Sequence, residues 1–105
     1  MGSRLSSAAM SESTFLFVKI PGSYSPMERG ERFEDPLDDA LREAEAGEVT
    51  GGGTSLGGDP FSGVDVEATD LEQALEIIRR VLIERGAPAG TVIEEGETEH
   101  PVWAS

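Results

Sequence analysis

The chain has 105 residues, 37% of them hydrophobic, and a formal net charge of −13. This length allows one small domain with one modest core. The sequence contains no cysteine, which excludes disulfides, thiol nucleophiles and cysteine-held metals. The negative charge disfavours nucleic acid and anionic membranes as partners and favours cationic ones. No apolar run approaches the ~18 residues of a membrane span, and together with the lack of cysteine this leads us to expect a cytoplasmic protein.

The predicted elements begin after residues 1–13, a serine-rich segment that we expect to be disordered. Residues 14–20, TFLFVKI, predict a first strand. Residues 21–35 contain prolines, glycines and mixed charge, and predict a long loop. Residues 36–46 predict a helix with Asp35 as its N-cap, Pro36 at its first position and Gly47 at its end.

The second half of the chain predicts a hairpin, a helix and a last strand. Residues 48–56 and 62–69 alternate around GGDPF and are typical of a hairpin. Residues 70–85 predict the longest helix, capped by Thr69 with Glu72 or by Asp70 with Gln73. Its apolar stripe includes Ile78, so we expect this helix to pack on the core.

The order of these elements favours one arrangement. A last strand is predicted at residues 91–95, which completes the order β-α-β-β-α-β. Since crossovers are right-handed, two interleaved halves predict a ferredoxin-like α+β two-layer sandwich. It would have a four-stranded antiparallel sheet with both helices on one face. The domain would span residues 14–95, and residues 96–105 would form a polar tail.

Consecutive glycines, Gly51, Gly52 and Gly53, interrupt the second predicted strand. A phosphate-binding loop needs glycines at a strand-to-helix turn, whereas these follow a helix and precede a hairpin. Two interpretations stay open. One is a β-bulge or strand distortion, in which glycine supplies a positive φ or relieves crowding. The other is a bare backbone that lets a partner or ligand approach closely.

The segments GEVTGGGT and VDVEATDLEQALEIIRRVLIERGAPAGTVIE lie within residues 47–94. They resemble small uncharacterised bacterial proteins of ferredoxin-like α+β build. The resemblance implies that fold. It implies no activity and no catalytic residue.

Few residues point to catalytic or metal chemistry. His100 with Glu97 and Glu99 could bind a divalent metal, but a tight site needs three or four rigidly held ligands. No second histidine or cysteine is present to build a catalytic triad. The sequence therefore predicts no catalytic residue, no metal ligand and no cofactor.

The open face of the predicted sheet is the strongest candidate site. Period-2 alternation places Leu16, Val18 and Ile20 under the helices and the intervening residues of that strand on the opposite face. With their neighbours on the third strand these form the predicted partner-binding set: Phe15, Phe17, Lys19, Asp65 and Glu67. Aromatic side chains are costly to leave in water. We therefore expect them to be covered by Trp103 of the tail, by a second copy or by a distinct partner.

Three functions remain open from the sequence. The first is a small acidic binding or regulatory domain that uses its open sheet face, as an inhibitor or immunity-type protein against a basic partner. The second is a small-molecule-sensing domain with a ligand at residues 21–35 or at a dimer interface. The third is a carboxylate-based enzyme. We expect a protein partner or a homodimer through the sheet face, and neither nucleic acid nor a membrane.

Overall fold

The computed structural model describes residues 13–55 and 57–103. They form an α+β structure with a five-stranded antiparallel sheet in the order β2-β3-β1-β4-β5. The strands are β1 (Thr14–Pro21), β2 (Gly47–Ser55), β3 (Phe61–Ala68), β4 (Val92–Glu95) and β5 (Thr98–Pro101). The two main helices are α1 (residues 26–43) and α2 (Leu71–Glu84). Apart from residue 13, the predicted disordered segment 1–13 lies outside the described residues.

The predicted four-stranded ferredoxin-like sheet is wrong, because the chain continues the sheet after β4. Gly96, with a φ of +59°, begins a two-residue turn between β4 and β5, a favoured hairpin connection. The segment expected to be a polar tail therefore supplies a fifth strand. Val102, just beyond it, is buried, and its N–H donates to the carbonyl of Thr91 at 3.0 Å.

The first helix begins earlier than predicted, so much of the expected loop 21–35 is helical. Ser25 is the N-cap, since its hydroxyl accepts the N–H of Glu28 at 3.1 Å, and Pro26 stands at a permitted first-turn position. The helix continues through a π-helical segment, Gly30–Glu34, and then through Asp35–Glu43. Asp35 lies inside this helix and is not its N-cap.

One core lies between the sheet and both helices. The predicted inward set of β1 is confirmed, since Leu16, Val18 and Ile20 are fully buried. Residues of both helices join them in one cluster: Phe33, Leu37 and Leu41 from α1 and Ala74, Ile78 and Leu82 from α2. Asp70 caps α2 by accepting the N–H of Gln73 at 3.2 Å. Both helices thus cover the same face of the sheet and leave the other face open.

No helix formed by residues 13–55 or 57–103 is long and apolar enough to cross a membrane.

Candidate functional site

The centre of the open face is a row of carboxylates around one aromatic ring. Directly paired residues of antiparallel strands carry their side chains on the same face. Phe17 pairs with Asp65 on β3 and with Glu94 on β4. Asp65 pairs in turn with Gly51 on β2, and Glu94 pairs with Glu99 on β5. The half-buried ring of Phe17 therefore has a carboxylate on the neighbouring strand at either side.

A second row runs through Phe15, which is 55% exposed. Phe15 pairs with Glu67, and Glu67 pairs with Glu48 on β2. Glu48 accepts a hydrogen bond from Arg42 Nη2 at 2.9 Å. Arg42 also binds Asp38, and this hydrogen bond, together with the charges of Asp38 and Glu48, raises the pKa of the Arg42 guanidinium. The end of the face near Phe15 is thus apolar and acidic.

The opposite end of the face carries an aromatic pair and a lysine. The Phe17 ring lies across Gly63, where any Cβ would overlap the ring. Phe17 and Phe61 meet edge to face with ring centroids 6.2 Å apart. The ammonium of Lys19 lies 4.7 Å from the centroid of Phe61, within the range of a cation–π contact. Within the protein itself, the Phe61 ring on this part of the face thus contacts a cationic side chain, that of Lys19.

The structure contains the bulge expected in the second strand, and it lies directly before the glycine run. The register of β2 against β3 shifts between Val49 and Gly51, which leaves Thr50 as the extra residue. A positive φ is not the reason for the glycines, because none of residues 51–53 has one.

The successive glycines have different surroundings. A Cβ at Gly52 would overlap the carboxylate of Glu34 and lie 2.8 Å from the carbonyl oxygen of Gly63. A Cβ at Gly51 would lie 3.2 Å from the Asp65 carboxylate, on the open face. A Cβ at Gly53 would meet nothing within 4 Å. Gly52 is therefore required by the close approach of two groups, the Glu34 carboxylate of α1 and the Gly63 carbonyl of β3. At Gly53 a side chain is absent and the space on the open face is empty.

The Glu34 carboxylate is held near Gly52 by a partly buried ion pair with Arg29. Arg29 is 9% exposed and donates through Nε to Glu34 at 2.7 Å and through Nη1 to Thr54 Oγ1 at 2.6 Å. Thr54 Oγ1 in turn donates to the carbonyl of Tyr24 at 3.1 Å. A shallow groove of about 470 Å³ lies beside these residues. Since Glu34 and Thr54 already engage the guanidinium, we interpret this cluster as the anchor of α1 on β2, not as a ligand site.

The structure brings together all five predicted partner-binding residues, and it adds others that the sequence analysis missed. The added residues of the open face are Glu48, Phe61, Gly63, Glu94 and Glu99. Phe61 was assigned to a turn because it follows Asp59-Pro60. Extending the alternation of β3 backwards from Asp65 would have placed it on this face. Glu99 was missed because β5 was not predicted.

Neither Trp103 nor His100 contributes as the sequence suggested. Trp103 Nε1 donates to the carbonyl of the buried Ala87 at 2.7 Å, in the turn after α2, so this ring does not cover the aromatic residues. His100 pairs with the buried Ile93 and contacts Glu95 Oε1 at 3.0 Å, on the side of the sheet opposite Glu99. Among the described residues no group of three or more His, Cys, Asp or Glu side chains is arranged to hold a metal ion.

Comparisons with known proteins give no match: no family model, curated protein or solved structure is significantly similar to this chain. The resemblance of residues 47–94 to small bacterial proteins stays a prediction. The open face is therefore interpreted from its own geometry.

Proposed function

We propose that the protein is a binding domain that captures a basic segment of another protein on its open sheet face. The observation that carries this proposal is the alternation of aromatic rings and carboxylates on that face, with Phe17 between Asp65 and Glu94. Aromatic side chains anchor interfaces, and carboxylates select cationic partners.

The aromatic residues supply the anchor. Phe15 is 55% exposed although it pairs with Glu67 within the sheet. A phenylalanine side chain buries roughly 150 Å² or more in an interface, and such residues dominate binding energy when water is excluded around them. A partner that covers Phe15 and the outer side of Phe17 removes apolar area that the fold itself leaves wet.

The carboxylates determine which partner fits. Among the described residues the strand register assigns one basic side chain, Lys19, to this face, against several acidic ones. The overall charge of −13 accelerates encounter with a cationic protein and slows encounter with an anionic one. Two copies of this chain placed face to face would bring Asp65, Glu67 and Glu94 against like charges, which disfavours a homodimer through this surface.

An inhibitor or immunity-type role is the form of binding that these properties support best. A face that combines acidic groups with aromatic anchors can cover the basic surface through which a partner binds its own target, and so compete with that target. Inhibition requires only that this surface be covered, and it needs no catalytic group on the covering protein.

The proposal is tested by selection from a displayed library of protein fragments with the wild-type protein as bait. Selected fragments are then measured by calorimetry at low and high salt against Phe15→Ser and, as a matched control, Met27→Ser. Met27 is 73% exposed, so its replacement removes a comparable apolar surface, from α1 and not from the sheet face.

We expect the selected fragments to be basic, to bind more weakly at high salt, and to lose roughly tenfold or more in affinity with Phe15→Ser, about 1.4 kcal/mol. Met27→Ser should bind like the wild type. Fragments without a basic bias, or equal affinities for the two variants, would refute the proposal.

A further inference from the structure

We infer that the basic segment binds as an added β-strand along the outer edge of β2 and places an arginine or lysine side chain in the trough beside Gly53. This inference rests on the proposed function and specifies how the partner reaches the open face.

The edge of β2 is available for pairing over a short stretch. β2 is the end strand of the sheet. Asp38 Oδ1 accepts the N–H of Val49 at 2.9 Å, which occupies the edge at that point. From residue 50 to residue 53 no backbone or side-chain group within the described ranges bonds to the outward N–H and C=O groups. The bulge at Thr50 interrupts this edge at one point, but residues 51–55, GGGTS, contain neither lysine nor proline, the other residues that commonly protect an edge.

The glycines create space at the point where side chains of an added strand would lie on the open face. The trough has a volume of about 310 Å³ and is lined by Phe17, Gly52, Gly53, Thr54, Ser55, Phe61 and Asp65. A Cβ at Gly53 would meet nothing within 4 Å, so this position leaves the trough open to the edge of the sheet. An incoming side chain can therefore lie flat on the backbone.

The walls of the trough select a long basic side chain. The rings of Phe17 and Phe61 supply an apolar surface for its aliphatic stem. The Asp65 carboxylate, 3.2 Å from the Cβ position of Gly51, lies near enough to the edge to accept a charged hydrogen bond. Since side chains of a strand alternate between faces, the matching segment carries basic residues at every second position.

A second copy of this chain does not supply these side chains. Its own β2 has the sequence GEVTGGGTS, which contains no arginine or lysine to reach Asp65. The basic extended segment is therefore the occupant that fits both the edge and the trough.

The probe is a synthetic peptide that alternates arginine and threonine, compared with a peptide that alternates glutamate and threonine. Two further versions of the arginine peptide carry N-methyl groups on one or the other alternate set of amides, so that one of them blocks pairing with β2. Affinity is measured by calorimetry, and pairing is measured by hydrogen exchange at the amides of residues 50–55.

The variant is Gly53→Leu, whose Cβ meets nothing within 4 Å, whose side chain is placed in the trough, and whose backbone φ is one that any residue adopts. The matched control is Gly57→Leu, which meets nothing within 4 Å and lies outside β2. Melting temperatures of both variants confirm that they fold.

We expect the arginine peptide to slow exchange at the β2 amides, one methylated version to lose binding, and Gly53→Leu to bind roughly tenfold or more weakly than Gly57→Leu. The inference is overturned if the arginine peptide does not bind, if β2 exchange is unchanged, or if the two leucine variants bind equally. It is also overturned if β2 becomes protected with rising protein concentration alone, which indicates pairing between copies. In each case the proposed function is decided separately by the effect of Phe15→Ser on the selected fragments.

Discussion

Replacing Gly52 and Gly53 one at a time by alanine is expected to have opposite effects on stability, although the two residues are adjacent. At Gly52 the new methyl group would overlap the Glu34 carboxylate and lie 2.8 Å from the Gly63 carbonyl oxygen. At Gly53 it would meet nothing within 4 Å. Neither residue has a positive φ, so the backbone tolerates alanine at both positions.

The magnitude follows from two contributions. Alanine restricts the unfolded chain and stabilises the protein by about 0.4–1 kcal/mol wherever the native backbone allows it. Forcing a methyl group into occupied space costs about 1–3 kcal/mol, because backbone and side chains must shift. Gly53→Ala has only the first contribution, and Gly52→Ala has both. Since the unfolded-chain contribution is common to both variants, their free energies of unfolding should differ by about 1–3 kcal/mol.

The difference becomes larger if Glu34 moves to relieve the overlap. Arg29 is 9% exposed and bonds to Glu34 at 2.7 Å, so a displaced carboxylate leaves a buried guanidinium with one partner fewer. Leaving a buried polar group unsatisfied costs about 1–3 kcal/mol.

Urea unfolding followed by circular dichroism measures both variants by linear extrapolation. Melting temperatures provide a second measurement, since 1 kcal/mol shifts the midpoint by about 4–8 °C in a domain of this size. If the two variants agree within about 0.5 kcal/mol, the usual range for surface substitutions, then α1 does not press on Gly52 and close approach is refuted as the reason for a glycine at that position.

Other substitutions test the remaining parts of the fold. Ile78→Ala should lower the free energy of unfolding by about 2–5 kcal/mol because this side chain is fully buried, and a loss under about 0.5 kcal/mol in urea would show that α2 does not pack as described. Phe15→Ser should change the free energy of unfolding by no more than about 0.5 kcal/mol in the same assay. Phe17→Ser should lower it further, since the Phe17 ring packs on the β3 backbone at Gly63. Equal values for the two variants would contradict this packing of Phe17. Trp103→Phe removes the hydrogen bond to Ala87 and should cost about 0.5–1.5 kcal/mol by thermal unfolding, and an unchanged midpoint would mean that this bond does not hold the end of the chain.

The elements that were predicted well are specified by a pattern of residues within their own segment of the sequence. β1 alternates over TFLFVKI, and this pattern alone was sufficient to place Phe15, Phe17 and Lys19 on the face opposite the helices. α2 carries a continuous apolar stripe and an N-cap, Asp70, within a single stretch of sequence. The apolar side chains of both elements define the covered face, so the open face was predictable from the sequence as well.

The elements that were missed are stabilised by contacts far along the chain. β5, with the sequence TEHP, buries little of its own surface and is held by its pairing with β4. The first turns of α1 are rich in charge, yet they are fixed where Arg29 reaches Thr54 on β2. The residue pattern within one segment does not predict the β4–β5 pairing or the contact between Arg29 and Thr54. These hydrogen-bonding partners are brought together only when the sheet and helix assemble.

The glycine run shows what the sequence determines and what only the tertiary structure determines. The sequence by itself determined that three consecutive positions of a predicted strand, 51–53, carry no side chain, and it left two reasons for this open. Only the tertiary structure decided what each glycine does, because the bulge at Thr50 sets the face on which each following residue lies. Gly52 then lies under the ion pair that α1 brings to the sheet, while Gly53 opens onto the acidic, aromatic face.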